Sequence, residues 1–423
     1  MSIRSVNSIV LFACLVCCAS GCHFGRRPCC VDTSVADATA VLHESNKTGE
    51  IQSSFDAIES GTENQPLQIS QFFGQQSAAI DLQECCCAAA VNSPIADAID
   101  KERKAMCCSG IQNQCVNDFL AGQALMQRNK AASIAGELFL RLVEINLQQE
   151  LLNESNDRIK ELRSASDFAS QQGFATVEAD NKIDKQEIEI RNQLADLESS
   201  NIEVIAKLNA VLGNSLCSPK TIHPIFELFP VYEAVDVCQE IETAFSNRAD
   251  LAAMNKQQCG CMDTECFSIL SKLDPRVGIG VAGAVRKCML LRKICQLRDP
   301  AKCVRKEQFM ELKSAREEIV RLQVTEAVLS IQTGYKKLSI ENDNVQRLDT
   351  RLKALELASQ LDSLDAFVNS IEVWGERQKA KSSRISKAIE FEIAKIKLLE
   401  ATGQWTEICG LSRGNACSCS RGD

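Results

Sequence analysis

The sequence predicts a mainly α protein of two tandem repeats, each a long antiparallel coiled-coil helical hairpin. Three observations predict it. The 23 cysteines of the 423-residue chain avoid two windows, 116–216 and 304–408. Those windows resemble each other. Phe168-Ala-Ser-Gln-Gln and Ala210-Val-Leu-Gly213 in the first correspond to Leu357-Ala-Ser-Gln-Leu and Glu400-Ala-Thr-Gly403 in the second, at nearly equal spacing. An internal repeat fixes architecture before any single element does. Each window also carries apolar residues in alternating steps of three and four, the period of helices that wrap around partners.

Taken in order, the chain opens with Arg4, an apolar run over 9–16, and the small residues Ala19, Ser20 and Gly21 before Cys22. Charged, apolar, then small is the order of a secretory signal, expected over 1–21; the run is too short for a spanning helix. Ala-Ser-Gly-Cys also resembles the bacterial lipobox, which makes Cys22 the expected lipidation site; a plain signal peptide is the alternative. Residues 22–79 read as a flexible, lipid-anchored leader, with Leu67, Ile69, Phe72 and Phe73 as its docking candidates. Repeat 1 is expected over 80–213, with its hairpin at 118–213, and an inter-repeat linker over 214–237. Repeat 2 follows over 238–408, with its hairpin at 306–403, and a cysteine-rich tail over 409–423 closes the chain.

Within the first hairpin, Leu138, Leu142, Ile145, Leu152 and Ile159 form one stripe, widened by Leu140, Leu147 and Leu151. Its return arm steps through Ile190, Leu194, Leu197, Asn201, Val204, Leu208 and Val211. The second hairpin steps through Val324, Val328, Ile331, Tyr335, Leu338, Asn342 and Val345. Asn201 and Asn342 in these seams are expected to fix register. Gly213 and Gly403 sit where a helix C-terminus wants a left-handed residue. Gly173 and the Asp362-Ser363-Leu364-Asp365 stretch break the windows near their middles, so each folds back. An arm of about 45 residues reaches on the order of 65 Å. Glu187, Glu189, Asp196 and Glu198 read as a solvated helix face rather than a charged lumen.

Ahead of each hairpin lies a second matched element. Ile80-Asp-Leu-Gln-Glu84 with Ala88-Ala-Ala-Val-Asn-Ser-Pro94-Ile-Ala-Asp-Ala98 resembles the opening helix of TolC-family repeats. Ala244-Phe-Ser-Asn-Arg248-Ala-Asp250-Leu251-Ala-Ala253 is similar to that family's second copy, with Ala249 in place of the usual proline. The resemblance covers residues 80–403. It implies a TolC-like α-barrel protomer, and with it a homotrimer forming a periplasmic helical conduit at the outer membrane. A periplasmic adaptor (membrane fusion) protein and an inner-membrane transporter would be its partners in efflux or export. The hairpin tips expected to meet the adaptor are Phe168, Gln171, Gly173 and Thr176, and Leu357, Gln360, Ser363 and Asp365. No catalytic residue is implied.

One departure is large. The family inserts two membrane strands per repeat, and a strand pair with its loop needs well over 20 residues. Between Cys107 and Leu120 the first repeat is polar and does not alternate. In the second, only Val277, Ile279 and Val281 alternate, and 287–297 is basic. The β-barrel strands are therefore expected to be reduced or absent. A barrel-less scaffold lipoprotein acting through coiled-coil faces is the competing reading.

Other classes recede. A net charge of −9 with no basic, aromatic-interleaved stripe argues against a nucleic-acid surface. Gly278-Ile-Gly280-Val-Ala-Gly283 spells a dinucleotide fingerprint but lacks the βαβ context it needs. Cys259, Cys261 and Cys266, or Cys417 and Cys419, have poor zinc spacing, and an exported chain favours disulfides over thiolate–metal bonds. No cofactor and no metal site is expected.

Overall fold

The computed structural model describes residues 74–108, 114–173, 176–214, 220–228, 230–260, 300–359 and 364–411. Cys22, Gln360, Ser363, the glycine motif at 278–283 and the tail cysteines Cys417 and Cys419 lie outside them.

Strand β1 (Gly74–Asp81) runs directly into helix α1 (Leu82–Val91). Asp81 starts the helix with a capping box. Its carboxylate accepts from the Glu84 amide at 2.7 Å, and the Glu84 carboxylate accepts from the Asp81 amide at 3.3 Å. Asn92 ends α1, and Pro94, which has no N–H to waste, opens α2 (Pro94–Cys108). α2 folds back against α3 (Gln114–Gln171). Ile99 and Met106 pack on Val116 and Leu120, and Arg128 grips Asp97 at 3.1 Å and Asp100 at 2.9 Å. Only residues 109–113 separate the two helices. Five residues are too few for a pair of membrane strands with its loop.

The first hairpin is α3 with α4 (Val177–Val211), turning at Gly173 with φ +86°. The chain then forms β2 (Lys220–Ile225), α5 (Val237–Asn247) and α6 (Ala249–Gly260). The second hairpin is α7 (Pro300–Ser359) with α8 (Leu364–Thr402), followed by the single turn α9 (Trp405–Ile408). The longer helix of each pair, 58 residues in α3 and 60 in α7, outruns its partner of 35 or 39. The architecture is mainly helical, with two long antiparallel hairpins and a strand content among the described residues limited to the β1–β2 pair.

Besides the small α2–α3 contact, three larger apolar clusters join the described elements. At the junction, Cys85, Cys86, Ala89 and Ala90 of α1 pack with Phe139 and Leu142 of α3, Leu208 of α4, Ile396 of α8 and Trp405. Toward the tips, Leu152, Ile159, Ile183, Leu348, Ile371 and Trp374 join all four long helices. Ala244 and Leu251 pack with Val324, Val328, Ile331 and Phe391 at the base of the second hairpin. Leu142, Ile145, Leu152 and Ile159 from the sequence stripe are buried.

Some expectations need correction. Asn342 is exposed, because the inward line of α7 passes from Leu338 through the half-buried Glu341 to Val345, one residue earlier than the sequence reading placed it; Asn342 cannot fix register from solvent. Tyr335 is also exposed and stacks on Tyr232, ring centroids 4.5 Å apart. Ile80 and Asp81 belong to strand and cap, so the helix begins at Leu82. Residues 74–79, read as the end of the leader, form β1, and part of the linker forms β2. The two pair in parallel, with Ala78 opposite Ile222 and Asp81 opposite Ile225.

Candidate functional site

Two features carry the site residues predicted from sequence: the junction at the foot of each hairpin and the tips at the far end.

At both feet the helix C-terminus turns through a left-handed glycine, with φ +75° at Gly213 and +76° at Gly403. The Gly213 amide donates to Ala210 and the Asn214 amide to Asn209; Gly403 donates to Glu400 and Gln404 to Leu399. This is the same Schellman pair twice, and it satisfies carbonyls the helix cannot. Each glycine lies against the residue that ends the preceding short helix. A Cβ on Gly213 would stand 3.2 Å from Asn92, and one on Gly403 3.2 Å from Arg248.

From there the feet differ. Asn92 donates one hydrogen bond, from Nδ2 to the Leu212 carbonyl at 2.9 Å. Arg248, buried, donates to Gln323 at 2.7 Å and to the Ala401 carbonyl at 3.2 Å, and engages Asp250 through two nitrogens at 3.1 Å. Arg316 reaches the same carboxylate from α7 at 2.7 Å. Burial pushes the Asp250 carboxyl up, but the two guanidinium groups outweigh it and hold the acid below its ordinary value. The network borders a cleft of about 910 Å³ between α3 and α7, floored by α8. Its charged lining is mixed, with Lys130, Arg141 and Lys337 facing Glu137, Glu326 and Glu390.

At the tips, Phe168 and Leu357 are each 64% exposed. Gln171, Gly173 and Asp365 are exposed as well. Thr176 is buried: its hydroxyl donates to Asp180 at 3.1 Å, and Ser166 donates to the same carboxylate at 2.6 Å. Thr176 braces the turn from inside and presents nothing outward. Below the tips, ion pairs tie the hairpins together: Lys182 to Glu372 at 3.0 Å, Glu189 to Lys379 at 3.0 Å, and Arg158 to Glu356 at 3.0 Å. Glu187 pairs with Arg163 at 2.6 Å. Such exposed pairs are worth about 0–1 kcal/mol each. Asn201 is buried with its Oδ1 unsatisfied among the described residues.

The sequence did not reveal the Arg316 contact, which comes from a helix 66 residues away from Asp250. Nor did it reveal that Cys87 and Cys409 stand at disulfide distance.

No protein-family model matches the sequence, and no curated protein matches it either. Solved structures do match the fold. CusC, described by its folding and transmembrane channel formation, aligns at 9% identity over 76% of this chain and 91% of its own, with a TM-score of 0.53. The CmeC outer membrane channel of Campylobacter jejuni aligns at 10% identity and a TM-score of 0.49, over 69% of this chain; the chain spans 66% of CmeC. The MtrE outer membrane channel of Neisseria gonorrhoeae aligns at 9% identity over 79% of this chain and 91% of its own, with a TM-score of 0.48. The likeness to CusC, together with the hairpin pair, gives this chain a TolC-like fold, in which the strands among the described residues are limited to the β1–β2 pair.

Proposed function

From that TolC-like fold, we propose that the protein is the outer-membrane-side component of an efflux or export system. Three copies form a helical periplasmic conduit that engages an adaptor and an inner-membrane transporter, and the protein makes or breaks no bond itself. It is exported over the signal at 1–21 and tethered by lipid on Cys22. The observation that carries this reading is the pair of hairpins packed side by side along their length, with Phe168 and Leu357 exposed at the tips. CusC, which shares the arrangement, is described as undergoing transmembrane channel formation. Exposed apolar residues along the rods also favour contact with further helices: Val177 and Ile188 on α4, and Ile319, Leu322, Leu329 and Ile340 on α7.

A second reading has its own support. The five-residue α2–α3 connection leaves no room for the first repeat's membrane strands, which favours a barrel-less scaffold lipoprotein. One preparation separates the two. Mass by light scattering reports the assembly, and ion conductance across liposomes carrying it reports the pore. A conducting trimer supports the conduit. A folded trimer that passes no current overturns it in favour of the scaffold, and a folded monomer overturns both the trimer and the conduit.

A further inference from the structure

α1 carries three consecutive cysteines, and the fold treats them unequally. Cys85 and Cys86 are fully buried against α3. The Cys85 thiol lies 3.9 Å from the Ala135 carbonyl. Gly136 provides the room for Cys86, since a Cβ there would come within 2.9 Å of its sulfur. Cys87 is the next position around the helix, and its Cα lies 5.1 Å from that of Cys409, within the range a disulfide requires. Cys409 directly follows α9.

We propose that burial sorts the triplet. Cys87 closes with Cys409 into a covalent clasp between the first helix of repeat 1 and the last of repeat 2, while Cys85 and Cys86 remain reduced in the core.

The topology gives the clasp its purpose. After the first hairpin the chain returns to the N-terminal unit as β2, which pairs along β1. After the second hairpin it returns as α9, which lands on α1 and α3. α9 is one turn of four residues. It keeps Trp405 buried, with the indole N–H donating to the Ile396 carbonyl at 3.4 Å. A single turn is too short to hold itself as a helix, so a covalent bond at its end does for repeat 2 what strand pairing does for repeat 1.

The neighbours are poor competitors. Disulfide exchange needs a thiolate and access. Desolvation, with the Asp81 charge adding to it, pushes the Cys85 thiol up to about 12, and burial pushes Cys86 up as well. Closing the clasp converts two thiols to one disulfide. The two electrons and two protons go to a disulfide oxidant, such as glutathione disulfide, which leaves as two thiols.

The test uses the full chain equilibrated in a buffer of reduced and oxidised glutathione. Free thiols are blocked with a light maleimide in the native state, then with a heavy one after denaturation, and peptides are sequenced without reduction. The expected result is a linked pair joining Cys87 to Cys409, with Cys85 and Cys86 carrying heavy label only. Cys409 joined to any other cysteine, or light label on Cys85 or Cys86, overturns the proposal. In Cys87→Ser, Cys409 should take the light label; a new bond to Cys86 would show that burial does not sort the triplet. In Cys409→Ser, with helicity unchanged by circular dichroism, amide exchange in 82–91 and 405–408 should rise by about tenfold while 150–200 stays as it was. Unchanged exchange at 405–408 overturns the clasp's structural role.

Discussion

At the foot of the first hairpin, an exposed asparagine gives one hydrogen bond to the Leu212 carbonyl that caps α4. At the foot of the second, a buried arginine gives the same kind of bond to α8 and also carries a carboxylate, a glutamine and a second arginine with it. The glycine turns beneath are the same, down to the pair of amides that close them. The backbone solution is therefore shared between the repeats, and the side-chain solution is local. The cause lies in what each foot packs against. The first has α1 pressed on α3 through alanines and cysteines, a contact that needs no charge. In the second, α6 lies across both α3 and α7. Gly122 of α3 comes so close that an added Cβ would stand 2.8 Å from the Ala249 carbonyl oxygen. Three helices meet there, and a branched polar network joins them.

That difference orders the effects of mutation. Arg248→Ala should be the most damaging, because it strands Asp250 in the interior with Arg316 alone. Removing one member of a buried ion pair costs about 3–5 kcal/mol, measured as the shift in urea unfolding; a loss under about 1 kcal/mol would mean the network is ornamental. The same network makes the second foot acid-sensitive. The Asp250 carboxyl is held low in the folded state, so its stabilisation is complete above the unfolded value of about 3.9 and is lost as pH falls through the folded one. Asp250→Asn should remove that part of the acid transition. If the wild-type and variant stability curves run parallel below about pH 4, the carboxylate is not the cause.

Gly213→Ala and Gly403→Ala should cost alike, about 1–2 kcal/mol each, since both force a Cβ into the left-handed region. Unequal losses would show that the turns are less equivalent than their hydrogen bonds. Asn92→Ala should cost about 1 kcal/mol, a single hydrogen bond. Smallest of all, Phe168→Ser and Leu357→Ser at the tips should stay within about 0.5 kcal/mol, because exposed side chains with no special role rarely do more. A larger effect on unfolding would mean the tips pack on something within the protomer.

The sequence made the rods legible and the junctions only partly so. Leu142, Ile145, Leu152 and Ile159 recur at helical period and are buried, because a long amphipathic helix writes its packing into its spacing. Asn342 misled, since a helix with neighbours on more than one side has no single seam to extrapolate. Phe139, Phe309 and Phe391 are buried off the stripes for the same reason. Strand β1 reads Gly-Gln-Gln-Ser-Ala-Ala-Ile-Asp, with little β character, and owes its form to β2, more than 130 residues away. Arg248 and Asp250 were visible as a motif. Their burial was not, because it is created by Arg316 and Gln323 arriving from another helix. Thr176 was placed among the outward tip residues by position alone, where hydroxyl and carboxylate in fact turn inward.

β1 and α1 precede everything they receive. The strand waits for residue 220, and the helix for residue 405. A chain made N-terminus first thus carries an open docking surface until the residues that cover it have been added. Only a molecule made to its final helix can cover it. A fragment halted or clipped before Trp405 would have both rods yet leave the base of α1 bare, which makes the accessibility of Cys87 a simple gauge of whether a molecule is whole.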